Sequence, residues 1–137
     1  MENLDPAAGP LAEHILDQLA EALIYSDREG IIRRWNRAAE ALFGFSAEAA
    51  LGQSLDLIIP EKLRAAHWRG FHAAIENRHT RLNGRPTLTG ALHRDGHKLY
   101  VEMSFALVAD GDTVLGSVAV ARDVTERVTR ERAAASR

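Results

Sequence analysis

The chain contains no cysteine, and this absence removes several chemistries at once. A disulfide scaffold, a thiolate zinc site, a cysteine nucleophile and a cysteinyl flavin or chromophore adduct are all excluded. Long apolar runs are also missing; none approaches the ~20 residues that a membrane span needs. Neither sign of charge dominates: 17 basic against 19 acidic side chains leave a net charge of −2. There is therefore no electrostatic case for nucleic acid or an anionic membrane as partner. The first ten residues, MENLDPAAGP, lack the basic and apolar regions of a secretory signal, so a cytoplasmic protein is expected. No Ser-His-Asp order, nucleotide-binding glycine loop or pair of catalytic carboxylates stands out. Enzyme chemistry independent of a cofactor has no support in these residues.

What remains is the composition of an ordinary globular domain, 46% apolar and 26% charged over 137 residues. A chain of this length can bury roughly 68% of its unfolded surface as one domain. Residues 1–10, with Pro6, Gly9 and Pro10, read as a loose leader. Leu11, Ile15, Leu16, Leu19, Ala22 and Leu23 recur at helical spacing, which predicts an amphipathic helix over 11–23. ALIYSD and IIRRWN follow as strands joined by the turn DREG. Asn36 has the character of an N-cap and Gly44 that of a helix end, with a second short helix after Ser46. Pro60 then suits the opening turn of a longer helix, 60–77.

Past a loop holding Asn83 and Gly84, the apolar period changes from 3.6 to 2. In HKLYVEMSFALV, Leu99, Val101, Met103, Phe105 and Leu107 face one way, and Lys98, Tyr100, Glu102 and Ser104 the other. The turns HRDG and ADGD make 86–93 and 113–122 the hairpin partners of this strand. DVTERVTRERAAASR returns to a charged helix that Asp123 or Thr125 could cap. An α+β fold is expected, an antiparallel sheet with helices gathered on one face.

Four blocks in this order, GIIRRWNRAAEALFGFSAEAALGQSL, IIPEKLRAAHWRGFHAAI, HRDGHKLYVEMSFALV and GSVAVARDVTER, resemble a PAS domain over about residues 12–127. The resemblance implies a five-stranded antiparallel sheet and a core over 24–123, with 124–137 as a helical signalling tail. It also implies a sensory or dimerising role, with a separate output protein as a possible partner. As a ligand it leaves haem, a flavin, a small metabolite or nothing.

The histidines narrow the question. On helix 60–77 the inner stripe is Leu63, Ala66, Gly70, Phe71 and Ala74, and His67 lies within it. His72 is about 140° further round the helix and faces away. The small residues of the stripe leave room for something flat and large. PEKLRAAH is similar to the segment of haem-binding PAS sensors in which a histidine seven residues after a proline supplies the proximal iron ligand. By that resemblance His67 is the metal ligand of haem b, in a pocket lined by Leu63, Gly70, Phe71, Thr87, Leu88, Met103, Phe105, Val118 and Val120. The arginine with which oxygen-sensing members hold the bound gas falls, by counting from His67, at Thr87. The methionine of a redox-switched subclass has no counterpart in that loop; Arg85 lies nearby and Met103 faces the pocket from the next strand, but neither is at the matched position.

The alternatives are a dimerisation module with a closed core, a flavin or another small organic ligand, and, furthest from the pattern, a haem-dependent enzyme. Trp35 and Trp68 read as core or interface residues. His93 and His97 bracket a turn and could chelate an adventitious metal. The apolar stripe of helix 11–23, and Tyr100, Leu115 and Trp35 on the outer face of the sheet, predict that the helix covers that face and that a second copy completes it as a homodimer.

Overall fold

The computed structural model describes residues 8–80 and 84–136. In chain order the elements are α1 (Ala8–Gln18), β1 (Ala22–Asp27), β2 (Ile32–Trp35), α2 (Arg37–Phe43), α3 (Ala47–Ala50), a 3-10 turn (Leu55–Ile58), α4 (Glu61–Asn77), β3 (Thr87–Leu92), β4 (Lys98–Asp110), β5 (Thr113–Asp123) and α5 (Thr125–Ala135). The five strands form one sheet in the order β2-β1-β5-β4-β3, and every neighbouring pair is antiparallel. Most of the expected leader and the loop residue Asn83 lie outside the described residues.

Local chemistry sets the corners. Asp27 accepts hydrogen bonds from the N–H groups of Glu29 (3.0 Å) and Ile31 (3.1 Å), and pairs with Arg33 at 2.9 Å. This closes the β1–β2 turn, where Gly30 takes a left-handed φ of 80°. Asn36 caps α2 through the Ala39 N–H (3.0 Å) and also accepts from the Leu23 N–H (2.9 Å). Its amide donates to Leu16 O (2.8 Å) and Glu21 O (3.1 Å). One buried side chain thus fastens the end of α1, the start of β1 and the start of α2.

The first helix is displaced from the expectation. It ends at Gln18 rather than residue 23, because Ala22 and Leu23 pair with Ala121 and Val120 of β5. A ladder of backbone hydrogen bonds outweighs a helical apolar period that continues by chance through the same residues. At the other end Thr125 does not cap α5. Its hydroxyl meets the Tyr100 N–H at 2.9 Å and ties the helix to β4, while Asp123 accepts from the Thr125 N–H.

The core lies between the sheet and α2, α3, the 3-10 turn and α4. Phe43, Ile32, Val101 and Trp35 are buried there, and the Trp35 and Phe43 rings sit 5.4 Å apart. Trp35 was expected on the outer face. Its pairing with Ile24, an inner residue, puts it inside, and its indole N–H donates to Phe45 O.

Candidate functional site, a cavity beneath a histidine

Helix α4 crosses the inner face of the sheet with Phe71 and Ile75 buried. Its N-terminal half does not close down on the strands. A cavity of about 580 Å³ remains, walled by Leu63, Ala66 and His67 of α4, Leu55, Ile58 and Ile59 before it, and strand residues from Ile24 to Ala119. A second hollow of about 220 Å³ adjoins it, bounded by Gly70, Phe71, Ala74, Thr80, Arg85 and Leu107. Ala66, His67, Phe105 and Ser117 border both.

His67 is half-buried, edge-on to Trp68 (ring centroids 4.6 Å) and tilted against Phe71 (5.9 Å). Among the described residues its Nδ1 is the one buried side-chain nitrogen or oxygen with no hydrogen-bond partner. Burial holds the ring below the ordinary histidine range. The Asp56 charge opposes that effect, and the His72 charge adds to it. The imidazole is therefore neutral at pH 7, the form that ligates metals.

The residues named from the sequence divide into three sets. Leu63, His67, Thr87, Leu88, Met103 and Phe105 line the larger cavity, and His67, Gly70, Phe71 and Phe105 the smaller one. Thr87 and Leu88 stand at the exposed rim, where Leu88 keeps half its surface in solvent and Arg85 reaches only the smaller hollow. Val118 and Val120 do not belong to the cavity. Ser104 faces Val120 and Ala106 faces Val118 across the β4–β5 ladder, on the side opposite Met103 and Phe105. The cavity wall on β5 is Ser117 and Ala119 instead.

Two features had no strong signal in the sequence. Ser26 and Ser117 share a buried hydroxyl–hydroxyl hydrogen bond of 3.1 Å, which sets a polar spot at Ser117 on the cavity floor. Trp68 lies over Gly30, where a Cβ would come within 2.3 Å of the indole, and its N–H donates to Asp56 at 2.8 Å. The left-handed glycine of the β1–β2 turn was the available hint to that clamp. His72, stacked on the outer side of Trp68 at 5.8 Å, is exposed as its helical phase requires.

With this architecture in view, the PAS fold family model matches residues 11–124. The chain belongs to the PAS family. Over 109 residues it is 25% identical to the oxygen sensor protein DosP of Escherichia coli, covering 80% of this chain and 14% of that protein. A stretch of 53 residues is 42% identical to the sensor protein FixL of Bradyrhizobium diazoefficiens, covering 39% of this chain and 10% of that one. The PAS domain of a Colwellia psychrerythraea protein superposes with a TM-score of 0.74 at 24% identity, over 85% of this chain and 97% of that one. This PAS domain spans under a fifth of the length of the curated relatives it matches. None of its helices, among the described residues, is long and apolar enough to cross a membrane.

Proposed function

We propose that this PAS domain is a signal-transduction sensor that binds haem b through His67 and reports a gas or a redox state. The observation that carries the reading is the neutral imidazole at the boundary of two apolar hollows, with a buried nitrogen that no protein group satisfies. A nitrogen of that kind fits a group that brings its own metal. Leu63, Phe71, Met103 and Phe105 would enclose the macrocycle, and the ring of His67 would hold the iron. Bound haem would supply an open coordination position for a diatomic gas or a one-electron couple. The likeness to an oxygen sensor and to a sensor protein supports the same reading. By the resemblance to oxygen-sensing PAS domains, Thr87 stands where an arginine would hold the gas, and it offers only a short hydroxyl at the rim, which favours a redox signal or a weakly held gas.

Titration of the purified chain with haemin tests this. The expected result is one equivalent taken up with a defined Soret band, abolished in His67→Ala and nearly unchanged in His72→Ala. Two variants that both keep the parental band would sink the assignment.

A second reading rests on the same cavity, whose wall is apolar apart from Ser117, His67 and the threonines. It would take a flavin or another small organic ligand without iron, and this is the reading to adopt if haemin is refused. In either case α1 has the features of an assembly element. Leu11 and Ile15 of α1 and Leu19 just after it are 57%, 53% and 40% exposed, an apolar stripe that one copy leaves uncovered, so we place the homodimer contact there, with an output protein beyond α5.

A further inference from the structure

The β3–β4 turn gathers three metal-ligating side chains at the far end of the hairpin from His67. His93, Asp95 and His97 have donor atoms that all lie within 4.8 Å of one another. The turn is tightly specified. The His93 N–H donates to His97 O (3.0 Å), the Gly96 N–H to His93 O (2.9 Å), and Gly96 adopts a φ of 93°. It is also anchored from outside, because the Arg94 N–H donates to Phe43 O at 2.8 Å.

The anchoring orients the first ligand. At Gly44 a Cβ would lie 2.6 Å from both Cε1 and Nε2 of His93, so that edge of the ring is closed against the end of α2. Nδ1 is left facing Asp95, where it accepts from the backbone N–H at 3.2 Å and lies 3.2 Å from Oδ1. The His97 Nδ1 approaches the same carboxylate oxygen closely, and the two imidazoles stack with centroids 4.5 Å apart. Two rings presenting the same nitrogen to one oxygen make a His-Asp-His set spaced at i, i+2 and i+4 on a rigid turn. Metal–nitrogen bonds of about 2.0–2.1 Å and metal–oxygen bonds of about 2.0–2.2 Å would draw such donors in by only a small side-chain movement, with water completing the shell.

We propose that His93, Asp95 and His97 form a divalent transition-metal site, selective for zinc-class ions that accept imidazole and carboxylate together. Bound there, the ion would clip the hairpin whose strands carry Thr87, Leu88, Met103 and Phe105 to the cavity wall. The site would thus stiffen one side of the ligand chamber without touching its contents.

Calorimetric titration of the haem-free full chain with Zn²⁺ at neutral pH tests this. We expect saturation at one ion per chain, a melting temperature that rises with zinc, and affinity weakened by roughly tenfold or more in His97→Ala and in Asp95→Asn. Both side chains are more than half exposed, so these variants should melt close to the parent without zinc. His67→Ala should bind zinc as the parent does, which separates this site from the cavity whatever haemin does there. Zinc binding of equal strength in the parent, His97→Ala and Asp95→Asn would overturn the proposal, as would a parent that does not saturate at one equivalent.

Discussion

His67 and Asn36 show how differently two polar side chains can be spent inside one core. Every hydrogen-bonding atom of Asn36 is used. His67 keeps a nitrogen idle, and burial makes its charged form costly. This gives a pH signature whose sign follows from linkage. The folded ring has a lowered pKa, so between that value and the ordinary one of 6.5 the unfolded chain binds the extra proton. Stability must then fall as the pH drops through that window and recover as it rises. Urea unfolding from about pH 7.5 down to about pH 5.5 should show this slope, flattened in His67→Leu. Parallel profiles for the two proteins would count against the buried neutral ring. Asp27 is also shifted, downward, by hydrogen bonds from Ile31, Arg33 and Glu29 that outweigh its burial. Its contribution is lost only at more acid pH, below the ordinary carboxylate value, and does not overlap. The sequence revealed the capping half of Asn36 and the inward aim of His67, since both follow from local spacing. The other three bonds of Asn36 join residues 13 to 20 positions away, and no local rule reaches that far.

Among the elements, β4 was the easiest to read and β5 the one that misled. A strict alternation runs through Leu99, Val101 and Met103, each buried, and the other face carries charge. Met103→Ala should cost about 2–5 kcal/mol, tempered by the cavity already beside it, whereas Glu102→Ala should cost within about 0.5 kcal/mol. Chemical denaturation of the two variants checks the assignment, and comparable large losses would mean that both faces are covered. In β5 the valines looked like the inner set because they are larger and more apolar than Ser117, Ala119 and Ala121. The register puts the small residues inside. The physical reason is volume: a sheet that floors a chamber must keep its inward side chains short, so size predicts the wrong face where a core is left unfilled. The same conflict displaced the end of α1, where two apolar residues in helical phase were needed more by a strand.

For the whole molecule, the fold class, the strand order of the three-stranded half and helix α4 over the inner face were legible from period and turn chemistry. Helix α1, by contrast, does not cover the outer face as expected, since Leu11 and Ile15 stand exposed. The pairing of β1 with β5 was not legible either, because it joins the two ends of the domain. Assembly belongs to this scale. The apolar stripe of α1 should bring two copies together, and deleting residues 1–18 should leave a monomer. The cut must stop there, because Ala22 and Leu23 are part of the sheet. Light scattering at tens of micromolar should report a dimer for the full chain; a monomer at that concentration would remove the case for this contact.

The antiparallel pairing of β1 with β5 sets Ala22 opposite Ala121, so the strand that enters the sheet first and the one that leaves it last share one end. Neighbouring strands are only about 4.8 Å apart. Tension applied between α1 and α5 would therefore not load the rungs of that ladder together, as a shear along the strands would. It would peel them one at a time from a single end, like a zipper pulled from its open side. A domain joined to its neighbours at these two points yields in steps: a pull on the flanking helices is borne first by the Asn36 and Thr125 hydrogen bonds that hold them, then at Ala22 and Ala121, and then, rung by rung, at Ile24 and Ala119 on the wall of the cavity.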